Sequence, residues 1–186
     1  MVWALHRKPS EGLTMVADML EGLDVLIVDE NARDRSAARR ILRAHGADRV
    51  TEVEEPLAAL EIVRHRRPGL LITEHHLELV RFLRADRGSA IAEIPIVMVS
   101  GRHRQSDVQE AHGAGIDEFV AKPLSAKRLV AHVLRALHDR RPFIRSALYL
   151  GPDRRLAAES AEHADALRFE MNPILTSDEI RVLLRG

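Results

Sequence analysis

The side chains able to do chemistry fall in four short clusters, each directly behind an apolar run: Asp29-Glu30, Glu74-His75-His76, Ser100-Gly101 and Lys122-Pro123. Clustered carboxylates of this kind can carry out acid–base work. The neighbouring His75 and His76 invite a transition-metal reading. Adjacent residues on a short loop rarely point the same way, however, and no HExxH spacing is present, so these two are read as solvated or hydrogen-bonded loop histidines. The other eight histidines, including His65, His103, His112, His132 and His138, are read as a solvated surface on the polar sides of helices. No serine elbow and no phosphate-binding P-loop accompany the acids. Gly113 and Gly115 are read as a helix-to-strand connection and not as a dinucleotide fingerprint. An autonomous enzyme is therefore not expected.

The chain has 186 residues and no cysteine, which removes thiol nucleophiles, cysteine-ligated zinc and disulfides. Its apolar fraction of 46% and its balance of 28 basic against 28 acidic residues exclude disorder throughout. No apolar run approaches the roughly 20 residues needed to cross a bilayer. The expected compartment is the cytoplasm, with no membrane association. The zero net charge conceals an uneven distribution. Residues 135–155 carry six arginines against two aspartates, whereas residues 156–186 carry six acids against three arginines.

The elements that must position the reactive clusters are legible from periodicity. Val25 to Val28 is a short run rich in β-branched residues, as expected of a strand buried on both faces. A helix follows with Ala37, Ala38, Ile41 and Leu42 on its inner side, stopping at Gly46. The cycle repeats with strands at Val50–Val53, Leu70–Thr73, Ile96–Ser100 and Asp117–Val120. The helices between and after them open at Pro56 or span about Leu77–Ala85, Gln105–His112 and Ser125–His138. Five strands alternating with five helices predict a doubly wound α/β fold with a parallel sheet and right-handed crossovers. Ligand chemistry in such folds sits at the carboxyl ends of the strands. All four reactive clusters stand there, so they should converge on one rim.

The stretch VLIVDEN with its Arg-rich helix, the Ser-Gly after the fourth strand and the AGIDEFVAKP around the fifth together resemble the receiver domain of bacterial two-component response regulators. The resemblance covers about Asp24 to Leu137 and implies a flavodoxin-like sheet of order 2-1-3-4-5. In that family an aspartate ending the third strand accepts a phosphoryl group, and two acids after the first strand hold Mg²⁺. A hydroxyl after the fourth strand and a lysine before proline receive the phosphoryl oxygens, in the usual positioning logic of phosphoryl transfer. The resemblance thus implies Asp29 and Glu30 as the possible metal pair, Ser100 as the switch hydroxyl, Phe119 as the aromatic that follows it and Lys122 as the lysine. At the third strand the sequence departs from the family, placing Glu74 at the phosphoacceptor position before a shortened loop that lacks the family's Met-Pro and Gly. One extra methylene moves the carboxylate by about 1 Å, and misplacement on that scale costs on the order of 100-fold in a reaction that depends on positioning. Two readings of Glu74 stay open. It is a degraded site, paired with Lys122 to satisfy charge, or it imitates the phosphorylated state and fixes Ser100 and Phe119. The altered loop also puts Mg²⁺ in doubt.

The chain is divided into an N-terminal extension (1–23), the receiver-like domain (24–138), an Arg-rich arm (139–155) and a C-terminal helical extension (156–186). Leu13, Val16, Ala17 and Leu20 recur at helical spacing in the first, as do the alanines and leucines between Arg154 and Phe169 in the last. Thr176 and Glu179 resemble a capping box opening a short final helix. These helices are too small and too poor in basic residues for a DNA-binding domain, and nucleic acid is not expected. In the arm, Pro142, Gly151 and Pro152 forbid a continuous helix. It either packs back on the domain or on a second subunit, or it binds an anionic ligand through Arg140, Arg141, Arg145, Tyr149, Arg154 and Arg155. Some chemotaxis-like receivers carry an arginine-rich tail that binds cyclic di-GMP, and this arm is similar in place and composition. The leading expectation is a pseudo-receiver that acts without phosphorylation on a histidine kinase or a downstream protein, with a possible homodimer. The alternatives are a phosphoacceptor in a phosphorelay and a cyclic di-GMP-binding regulator.

Overall fold

The computed structural model describes residues 19–86, 89–139, 141–145 and 149–154. The fold below is that of the first of two compact units, which ends at Pro152. The helices expected within 1–18 and 156–186 lie outside the described residues, as do Arg140 and Arg155. Among the described residues no helix is long and apolar enough to cross a membrane.

Five strands, β1 (Asp24–Val28), β2 (Arg49–Val53), β3 (Leu70–Thr73), β4 (Ile96–Ser100) and β5 (Glu118–Ala121), form one parallel sheet of order β2-β1-β3-β4-β5. Five helices alternate with them: α1 (Ala32–Ala44), α2 (Pro56–His65), α3 (Leu77–Ala85), α4 (Gln105–Ala114) and α5 (Ala126–Leu137). Successive strand side chains point to opposite faces, so the continuous apolar runs feed two layers. Val25, Ile27, Leu70, Ile72, Val97 and Val99 pack with Leu42 of α1 and with Leu129 and Val133 of α5. Leu26, Val28, Leu71, Ile96 and Met98 pack with Val63 of α2, Val80 and Leu83 of α3 and Ala111 of α4. Leu20, four residues ahead of β1, is buried in the first layer, and its N–H donates to the His45 carbonyl at 2.9 Å.

Local signals set the boundaries. Asn31 caps α1, its side chain accepting from the N–H groups of Arg33 and Asp34 at 2.9 and 3.4 Å. Pro56 opens α2, where a missing N–H costs nothing. Gly46 ends the turn after α1 at φ +93°, a conformation that side chains with a Cβ rarely adopt. The expectation for Gly113 is corrected: it lies inside α4, and Gly115 alone makes the turn, at φ +104°.

Two polar clusters sit where periodicity signals surface. Arg84, on the last turn of α3, is only 2% exposed. Its guanidinium donates to Asp117 Oδ2 (2.9 Å) and to the carbonyls of Gly115 (2.9 Å), Ala92 (2.6 Å) and Ile94 (2.8 Å). Asp117 Oδ2 also accepts from the Ile96 N–H at 2.7 Å, so one ion pair joins α3, β4 and the entry to β5. Burial pulls the Arg84 guanidinium down from its usual pKa, and Asp117 opposes that shift. Phe143 lies over the same guanidinium, 5.1 Å to the ring centroid. It belongs to an antiparallel pair, β6 (Phe143–Arg145) and β7 (Leu150–Pro152), and β7 packs against α3. A Cβ on Gly151 would lie 2.6 Å from Tyr149 Oη and 3.0 Å from Gly115 Cα, so only glycine fits there.

The second cluster corrects the reading of His132 as a solvated residue. Its Nδ1 is 2.7 Å from Glu118 Oε2, and Arg135 Nε donates to the same oxygen at 3.3 Å. Burial pushes the Glu118 carboxyl up, but the bonds from His132 and Arg135 outweigh it and hold the group below its usual pKa.

Arg84→Met removes the guanidinium that offsets the buried Asp117 charge and should lower stability by about 3–5 kcal/mol. In urea unfolding, the Arg84→Met/Asp117→Asn double variant should lose less than the sum of the two single losses, because the stranded charge is gone. For Glu118, whose folded pKa is depressed, the stabilisation is fully present above the ordinary carboxylate range. It is lost as pH falls through that range to the lower folded value. Glu118→Gln should therefore show a shallower loss of melting temperature on acidification than the wild type; parallel profiles would remove Glu118 from the acid response.

Candidate functional site

Parallel topology delivers the reactive residues to one edge. Asp29 follows β1, Glu74 follows β3, Ser100 ends β4 and Lys122 follows β5. Backbone bonds lock these ends together: Glu74 N–H donates to the Val28 carbonyl and Lys122 N–H to that of Ser100, both at 2.8 Å. Asp29 N–H donates to the Val53 carbonyl at 3.3 Å. An open polar pocket of about 420 Å³ results, lined by Asp29, Glu30, Asn31, Glu74, His75, His76, Arg102 and Lys122. The expected convergence of Asp29, Glu30, Glu74, Ser100 and Lys122 on one rim is what the structure has.

The pairing inside the rim is different from the expected one. Lys122 does not take Glu74. Its Nζ donates to Asp29 Oδ2 at 2.7 Å and to Asp34 Oδ2 at 2.6 Å. Burial works against the Lys122 ammonium, but the bonds to Asp29 and Asp34 outweigh it and raise the pKa above the ordinary lysine value. Glu74 instead accepts the Ser100 hydroxyl through Oε1 at 2.9 Å and the His75 N–H through Oε2. The reason is the short connection: only Glu74, His75 and His76 separate β3 from α3, and His76 N–H donates to the Glu74 carbonyl at 2.6 Å. This tight turn holds Glu74 toward β4 and leaves Lys122 to the acids beside β1. Ser100 Oγ in turn accepts the Arg102 N–H at 3.0 Å. Phe119 is half-buried against the layer formed with α2, α3 and α4.

Sequence reasoning did not single out Asp34, Asn31 or Arg102. Asp34 stands three residues beyond the Asn31 cap, in the first turn of α1, where an acid reads as a favourable dipole contact. Its engagement with a lysine 88 positions away has no local signal. Asn31 doubles as a clamp, its N–H donating to Asp29 Oδ1 at 2.7 Å. The Arg35 guanidinium donates to the Asp29 carbonyl.

A divalent cation of the kind the sequence resemblance implies does not fit this donor set. Both oxygens of Asp29 are engaged by Asn31 and Lys122, both oxygens of Glu74 by Ser100 and His75, and Glu30 is exposed. Among the described residues no three His, Asp or Glu side chains are grouped to hold a metal. The expectation that His75 and His76 are solvated or hydrogen-bonded is corrected at one atom each: His75 Nδ1 and His76 Nε2 are buried without a hydrogen-bond partner.

The arm stands apart from the rim. Arg141 binds the carboxylate of Asp139 through Nε (2.9 and 2.8 Å) and Nη2, and Nη2 also reaches the Asp117 carbonyl at 3.4 Å. Tyr149 donates its hydroxyl to the Pro152 carbonyl at 3.0 Å. Arg145 lies in β6, and Arg154 falls beyond Pro152 in the second unit.

The model of the response regulator receiver domain matches residues 25–134. The DNA-binding response regulator MtrA of Mycobacterium tuberculosis (strain H37Rv) is 31% identical over 115 residues, covering 59% of this chain and 48% of that protein. The chemotaxis protein CheY-3 of Vibrio cholerae is 24% identical over 121 residues, 62% of this chain and 92% of that protein. The chain thus spans about half the length of the MtrA relatives it matches. Among solved structures, a response regulator from Desulfuromonas acetoxidans superposes with a TM-score of 0.56 at 26% identity, covering 62% of this chain and 96% of that one. The receiver domain of the Arabidopsis thaliana histidine kinase CKI1, solved with Mg²⁺ and BeF₃⁻, does so with a TM-score of 0.56 at 22% identity, covering 67% and 95%. With the sheet order, the acidic rim and the matched span in agreement, the chain belongs to the response regulator receiver domain family of two-component signalling.

Proposed function

We propose that this chain is an atypical receiver, a pseudo-receiver in which Glu74 replaces the phosphoacceptor aspartate and which signals through protein contacts without being phosphorylated. The observation that carries this reading is the 2.9 Å bond between Ser100 Oγ and Glu74 Oε1. A hydroxyl that would close on a phosphoryl oxygen is already closed on a carboxylate oxygen of the chain itself. The lysine that would share that role is committed to Asp29 and Asp34. Glu74 thereby holds the switch hydroxyl, Phe119 stays half-buried against the layer of α2, α3 and α4, and the surface of α4, β5 and α5 keeps one arrangement for a partner. That partner is a histidine kinase or a downstream signalling protein, met in the cytoplasm. A cyclic di-GMP site on the arm has less support, since Arg141 and Tyr149 are turned to Asp139 and the Pro152 carbonyl. A structural or dimerising arm is the better reading.

Incubation with a small phosphodonor and Mg²⁺ should leave the intact mass unchanged. A phosphoryl adduct on the wild type that disappears in Glu74→Ala would instead make the chain a phosphorelay acceptor. Glu74→Ala should also lower stability by about 2 kcal/mol, because it removes the charged acceptor of two hydrogen bonds. It should move the amide NMR signals of Ser100, Arg102 and Phe119; signals that stay in place would separate Glu74 from the switch.

A further inference from the structure

We propose that Lys122 is the resident cation of the acidic pocket, anchored by Asp34, and that this built-in ammonium closes the pocket to divalent metal ions. The inference deepens the reading above and rests on it for the identity of the pocket. It concerns cation binding alone, so it is tested without any phosphodonor.

The geometry is that of an occupied ion site. The Lys122 side chain is 18% exposed, and its Nζ lies 2.7 Å from Asp29 Oδ2 and 2.6 Å from Asp34 Oδ2. An ammonium has three donors and no acceptor, and two of the three are spent on separate carboxylates. The anchor is itself held. Asp34 sits in the first turn of α1 behind the Asn31 cap, where the helix dipole favours a negative charge. The lysine backbone is fixed at its other end by the N–H bond to the Ser100 carbonyl.

A hard divalent ion needs several oxygens at about 2.0–2.6 Å. Most carboxylate oxygens of the pocket already have partners: both of Asp29 (Asn31 and Lys122), Oδ2 of Asp34 (Lys122) and both of Glu74 (Ser100 and His75), while Glu30 is exposed. Entry of a metal would expel the ammonium from both carboxylates and leave it half-buried beside a doubly charged ion. An exposed lysine pair would yield easily, being worth little in water. This one is held by two acids, with the Asp29 side chain only 8% exposed, and its charge offsets part of the site's negative charge before any ion arrives. Without Lys122, Asp29, Asp34 and the neighbouring Glu30 would be uncompensated acids on one rim.

The probe is Mn²⁺, titrated into the full chain and followed by the loss of its free-ion electron paramagnetic signal. The wild type should show no saturable binding up to about 10 mM, and Lys122→Met, which keeps the length of the side chain without its charge, should bind at least about tenfold more tightly. A wild-type dissociation constant below about 1 mM, or a Lys122→Met variant no tighter than wild type, would overturn the proposal. Should Lys122→Met fail to fold, the wild type decides alone through the ¹⁵N resonance of its Lys122 ammonium. That signal should stay in place on addition of Mg²⁺; a saturable shift would mean that the ion displaces the lysine.

Discussion

A single ammonium group makes this rim possible. Parallel strands all end on the same side, and here two of those ends bring acids together: Asp29 and Glu30 after β1, with Asp34 in the first turn of the α1 that follows, and Glu74 after β3. Like charges gathered in a partly dry pocket repel unless compensated. Lys122 joins Asp29 to Asp34 and so ties the end of β5 to β1 and α1 across the width of two intervening strands. With that compensation in place Glu74 is free to serve β4 instead, through Ser100. The division of labour among the acids follows from where the one lysine goes.

The fold was legible because each element carried its own signal. Runs such as Val25–Val28 and Ile96–Val99 are apolar on both faces because helices cover both faces, and Gly46, Pro56 and Ser125 mark helix ends by chemistry that acts within a few residues. Convergence of the rim was legible for a related reason, since topology alone dictates which strand ends meet. The pairing within the rim was not. A three-residue connection between β3 and α3 decides which way Glu74 faces, and that depends on backbone geometry that no side-chain pattern encodes. Asp34 was overlooked for the opposite reason: a local role, stabilising a helix start, already explained it.

His132 was misread on the assumption that titratable groups on amphipathic helices face water, and the buried Arg84 breaks the same rule. Arg84 sits where three backbone carbonyls converge, at the seam between α3, the turn at Ala92–Ile94 and the entry to β5. A guanidinium has enough donors to satisfy all three and a carboxylate as well. The arm then uses the upper side of the same group, placing Phe143 over it. Phe143, one of the arm's apolar residues, is accounted for by this contact.

Helix α3 is short, nine residues and so about 13 Å long, and it is fastened at both ends. At its start the turn of Glu74 to His76 joins it to the rim with no spare residue, and at its end Arg84 binds it to β4, β5 and Phe143. A rod held in this way has no slack. A longer loop would absorb a shift of Glu74 locally; here the rim and the β6–β7 pair bear on the two ends of the same short helix.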